Sequence, residues 1–223
     1  DNSVTIAGTI NGNNTTEGTI QVTGATKTFS GIVGGSQVLT LVDIDDIAVF
    51  SANVSATTAN LAATTTFGGD TTLTTLTVQS ASYNVIFNGS SNTITNAANF
   101  QNTGTVTFGN ASGDSSLFNG GLTTTAPSQI NIGGTLQTSN DAMSLGDSDT
   151  AIVLVANTTL NTGSAALTLN ATVNGGYTLT LNSTDATTFA GVVGGSTALT
   201  GINTNASGTV VFNTTAIETN GDQ

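Results

Sequence analysis

The chain has 223 residues, 37% hydrophobic and 6% charged, with 13 acidic side chains against a single basic one, Lys27, and a formal net charge of −12. That balance argues against a nucleic-acid partner, which needs clustered Lys and Arg, and no apolar run approaches the roughly 18 residues of a membrane-spanning helix. The absence of Cys and His removes disulfides, thiolate metal sites and the commonest general base.

A mean hydropathy of +0.16 and a single proline, Pro127, distinguish the chain from a disordered polymer, which combines low hydrophobicity with high charge. Solubility then falls to Thr, Ser, Asn and Gly on the outer surface, assisted by the net negative charge. The chain opens at Asp1 without a Met or an apolar leader and closes on TNGDQ without an obvious cap, so an excised piece of a longer protein is expected.

Short segments of period two run from end to end: VTI (4–6), GTIQV (18–22), TLTTLTV (72–78), NVIF (84–87), TVTF (105–108), ALTLN (166–170), TLTLN (178–182) and GTVVF (208–212). Alternation with β-branched residues between Gly, Asn, Ser and Asp turns predicts half-buried strands. No window carries apolar residues at helical spacing, so almost no helix is expected.

Two further regularities set the architecture. The phrase TFSGIVGGSQVLT (28–40) returns as TFAGVVGGSTALT (188–200), with TING (9–12) before the first copy and TVNG (172–175) before the second. Phe29, Phe50, Phe67, Phe87 and Phe108 follow at intervals of 21, 17, 20 and 21 residues by subtraction, and Phe189 and Phe212 are 23 apart. A spacing near 20 residues is one coil of a β-solenoid, so the chain is expected to be all-β: a parallel β-helix of roughly ten coils. In such a stack each Phe covers the next, and Asn and Thr line up in ladders at the corners. At about 4.8 Å per coil the rod is expected to be about 50 Å long.

Tandem antiparallel β-sandwiches are the competing architecture, since they also use short alternating strands. One proline, no Trp and two Tyr favour thin aliphatic coils instead. The whole chain, 1–223, reads as one elongated repeat domain, and the turn-rich stretch 110–129, which holds Pro127, is the expected excursion or boundary between two stacked halves.

The repeated phrases, of the form FxGxVGGxxxLT, together with TVNG (172–175) and TNGDQ (219–223), resemble the strand-repeat segments of very large secreted bacterial surface proteins of the filamentous-haemagglutinin-like and autotransporter-like kind. The resemblance covers both ends of the chain and, in style, its middle. It implies a β-helix, an extracellular or cell-surface location and an adhesive or stalk role toward a cell-surface or matrix ligand. The chain carries no calcium-repeat nonapeptide of the GGxGxDxUx type.

Chemistry would have to rest on carboxylates. Asp43, Asp45 and Asp46 cluster in LVDIDDIAV, and Asp141, Asp147 and Asp149 in SNDAMSLGDSDT, neither with a basic partner. On a strand Asp43 and Asp45 would share one face about 7 Å apart, and Asp147 and Asp149 would share a Gly-led turn, so these four are the candidate calcium ligands. Their other reading is solvated turn acids that keep the chain soluble, and glycosidase chemistry is the least supported. No catalytic or cofactor-binding residue emerges, and a non-enzymatic structural role is expected.

Thr-x-Thr pairs at Thr64/Thr66, Thr72/Thr74, Thr105/Thr107, Thr123/Thr125 and Thr178/Thr180 drift in spacing, unlike the regular hydroxyl array an ice-binding solenoid needs. Asn-x-Ser/Thr triplets, Asn205 among them, are frequent because the composition makes them so. Open sheet edges at the two ends make end-to-end self-association the alternative functional expectation.

Overall fold

The computed structural model describes residues 3–14, 17–204 and 207–221; Asn205 and the last two residues of the TNGDQ ending lie outside them. The described chain is all-β and contains no helix. Every strand pairing in it is parallel, as expected of a β-solenoid and not of the competing antiparallel sandwich.

Three ladders define the coil. The first climbs the whole molecule: Val4, Lys27, Ala48, Thr65, Val85, Val106, Ile130, Ile152, Val173, Val193 and Ile217 lie one above another. Eleven rungs make ten turns, and at about 4.8 Å per rung the stack is about 48 Å long. The second ladder holds Ile10, Val33, Val54, Thr71, Asn92, Ser116, Leu136, Leu160, Leu181 and Thr204. The third begins with Val22, Ile44, Leu61, Val78 and Phe100 and continues through Ala98, Leu122, Met143, Leu167, Thr187 and Val210.

Residues 110–129 carry rungs of their own. Ser115–Phe118 pairs with the coils on both sides, and so does Leu122–Thr124. The excursion within this stretch is confined to the turn at 110–114, where the Asp114 carboxylate accepts the amides of Asn110 (2.8 Å) and Ala111 (3.0 Å). Gly134, at φ +78, carries the next coil over that turn; a Cβ there would stand 2.2 Å from the Asp114 carbonyl.

The core is a column of aliphatic side chains and phenylalanines inside the three ladders. Phe29, Phe50, Phe67 and Phe87 stack with ring centroids 4.7, 5.4 and 5.0 Å apart. Parallel pairing delivers this, because identical residues in register must lie over one another. Higher up, Phe87 and Phe108 meet Phe100 and Phe118, from the other two walls, edge to face. Phe189 and Phe212 form a separate stack at 5.0 Å on the third ladder, so the phenylalanine ruler belongs to two walls rather than one.

Corners explain the Asn and Thr content, though not as ladders of like side chains. An acceptor on one coil takes a backbone amide of the next: Asn84 receives Thr105 (2.8 Å), Asp70 receives Ser91 (2.9 Å), Asn157 receives Thr178 (3.1 Å) and Asn140 receives Ser164 (3.1 Å). These amides leave the ladder where the chain turns and would otherwise lack a fixed partner. Buried hydroxyls serve the inner side of the corner. Thr162 donates to the Ala165 carbonyl at 2.6 Å, and Thr158 to the Ile132 carbonyl at 3.0 Å.

The two copies of the repeated phrase fold into the same corner. Gly34 and Gly194 both adopt positive φ, +73 and +81, and a Cβ would meet the carbonyl of the next coil at 2.0 and 2.2 Å. The Ser36 amide donates to Asn11 (3.1 Å) and the Ser196 amide to Asn174 (2.9 Å). TING and TVNG are therefore the coil below that seats the loop.

Candidate functional surface

Outward positions on each strand carry hydroxyls and amides, because the period of two that buries one residue exposes the next. On the second wall Ser91, Ser115, Thr135, Thr159 and Thr180 form one column. On the third wall Asn99, Thr123, Ser144, Thr168 and Thr188 form another. Several of these groups pair along the axis: Asn131 donates to Thr107 (3.3 Å), Asn170 to Ser144 (3.2 Å) and Asn96 to Thr75 (2.9 Å).

The acidic side chains separate. Asp43 lies outward on Leu39–Ile44, in register with Gln21 and Asn60. Asp45 is past the end of that strand, where it accepts the Gln21 amide at 3.0 Å, so the two do not share one strand face as expected. Asp46 caps the Ile47 amide at 2.7 Å.

Asp147 and Asp149 do share a turn, which follows Gly146 at φ +71. One Asp147 oxygen accepts the amides of Asp149 (3.0 Å) and Thr150 (3.1 Å), and Thr150 in turn donates to the Pro127 carbonyl below (2.8 Å). That oxygen is engaged in holding the turn closed. Asp141 stands at the opposite end of Met143–Leu145, apart from the other two. Among the described residues no group of three or more acidic, His or Cys side chains comes together as a metal site.

A groove of about 360 Å³ opens at the corner between the second and third walls, lined by 97–99, 120–123, Asp141 and Ala142. Its floor is recessed because the middle coil turns on Gly120 and Gly121. A Cβ at Gly120 would stand 2.4 Å from the Ala97 amide nitrogen, and Gly121 has φ +98. Asn99 and Thr123, neighbours in register, lie along one side, and Asp141 overhangs Gly121, its Cβ 3.4 Å from where a Cβ on that glycine would be. Composition and periodicity give no sign of this groove, because it depends on which corner falls over which.

One perturbed acid of the described chain is a core phenol. Tyr83 packs inside the solenoid and donates to the carbonyls of Leu61 and Gln79. Burial pushes its pKa from 10.0 up to about 12, against a smaller lowering by the Gln79 carbonyl. It has no access to a ligand and reads as part of the core.

Taken together these features define a parallel β-solenoid with polar outer walls. Comparison with protein-family models, with curated proteins and with solved structures finds no match to the chain.

Proposed function

We propose that the chain is a non-enzymatic, extracellular structural segment of a bacterial surface protein, a rigid stalk or adhesin repeat. The observation that carries this reading is the first ladder, which runs through eleven rungs with no break. A rod of this kind transmits load along its axis through interstrand hydrogen bonds while its walls stay available for contact. The repeated corner phrases and their resemblance to secreted strand-repeat proteins support the extracellular setting.

A second reading, a subunit of a self-assembling extracellular filament, sheath or surface layer, is favoured by apolar residues on the end coils: Phe212 is 43% exposed and Val4 45%. A second copy stacked end to end would cover them. Negative-stain electron microscopy of the purified chain at micromolar concentration, with calcium and with chelator, separates the two. Isolated rods about 50 Å long support the stalk; fibres or lattices support the filament. Fibres that dissolve on chelation would show that calcium bridges the copies.

A further inference from the structure

We infer that the corner groove bounded by Asn99, Thr123 and Asp141 is a binding site for a neutral saccharide. The inference rests on the adhesive part of the proposed function and supplies its ligand class. Some outward polar groups on the walls pair with one another along the axis, as Asn170 does with Ser144 and Asn96 with Thr75. At the groove, the Asn99 amide, the Thr123 hydroxyl and the Asp141 carboxylate make no hydrogen bond within the described chain. One site therefore offers donors and acceptors of three kinds, each open to a ligand.

Size and charge choose the class. A cavity of about 360 Å³ lies at the small end of the range for small-molecule sites, which suits one or two sugar rings. A carboxylate at the rim of a protein of net charge −12 with one basic residue repels sulfated or carboxylated polymers. Hydroxyl groups satisfy an amide, a hydroxyl and a carboxylate alike. The recessed Gly120 and Gly121 let a sugar ring approach the backbone.

The test is a titration of the full chain with tetrasaccharides of glucose, galactose, mannose and N-acetylglucosamine, followed by the side-chain amide resonance of Asn99 and the backbone resonance of Thr123. A sulfated tetrasaccharide serves as the charged comparison. The expected result is saturable binding of at least one neutral probe, weakened roughly tenfold or more by Asp141→Ala or Thr123→Val, each removing one hydrogen-bonding partner. Thr168→Val, in the same outward column but outside the groove, leaves binding unchanged and shows that the fold tolerates such a change. Failure of every neutral probe to bind at millimolar concentration overturns the inference. So does equal binding of the sulfated probe, or affinity indifferent to both groove substitutions. Rods in the micrographs without saccharide binding would remove the groove and leave the stalk; fibres with saccharide binding would do the reverse.

Discussion

Phe29 and Phe189 hold the same place in the repeated phrase yet stand on different walls of the solenoid. Phe29 is in the first wall, paired with Phe50, and Phe189 is in the third, paired with Phe212. Each phrase keeps its own local geometry, down to the Asn of the coil below that takes a Ser amide. The corner is thus a transferable unit of about three coils in depth that can be set at any edge of the prism. A surface feature attached to it would face a different direction at each recurrence.

Together with Gly134, Gly34 and Gly194 should be among the least replaceable glycines. Alanine at either imposes a positive φ and a carbonyl contact near 2 Å, so a loss of at least about 1–3 kcal/mol is expected from backbone strain alone. Gly113, with ordinary φ and open space around it, should accept alanine with little change. Urea midpoints of the three variants check the contrast, and equal losses at all three would contradict it.

Asn84 joins two coils, its side chain taking the Thr105 amide at 2.8 Å while its own amide donates to Thr64 at 3.2 Å. Asn84→Ala should cost about 1–2 kcal/mol and raise amide exchange at Thr105 ahead of the ladder amides. Asn84→Asp, which keeps the acceptor, should retain most of the protection.

Thr124 is fully buried between coils of the third wall, and its hydroxyl has no hydrogen-bond partner. Thr124→Val keeps the shape and removes the unpaired group, so a gain of about 1 kcal/mol is expected. A loss of stability in thermal unfolding would show that the hydroxyl has a role the geometry misses.

Tyr83 makes the fold sensitive to strong base. Its native pKa near 12 lies above the ordinary 10.0, so between those values the native state holds a proton that the unfolded chain has released. Stability from this group is complete below pH 10 and falls as pH rises toward 12. Ultraviolet titration should show a phenolate step near pH 12 that Tyr83→Phe removes, and the variant should lose less stability across that window.

Much of this fold could be read from the residues. Alternation at VTI, TVTF and GTVVF becomes strands, and the interval from Phe29 to Phe108 becomes a stack because parallel coils put like over like. The wall assignment of Phe189 and Phe212 was not readable. Coil length varies from 17 residues, between Phe50 and Phe67, to 24, between Phe108 and Ile132, so phase is lost within a few turns. Stacked coils predict Asn ladders, whereas Asn84, Asn140 and Asn157 bind backbone amides of the next coil; a backbone amide has no letter in the sequence. The groove beside Asp141 is not legible in the sequence for a related reason, since its depth comes from Gly120 and Gly121 lying beneath a corner contributed by the following coil.

A distance measurement between outward positions of the first wall tests the parallel ladder most directly. Thr28, Val49, Thr66, Ile86, Thr107, Asn131 and Val153 lie in one register, and the chain has no cysteine to compete with introduced spin labels. Cysteines at Thr28 and Ile86 should give backbone separations of about 14 Å, three rungs, and at Thr28 and Val153 about 29 Å, six rungs. A distance that doubles with the rung count is the predicted result. A Thr28 to Val153 distance no longer than that from Thr28 to Ile86 would mean that the chain folds back on itself, and the solenoid would be wrong.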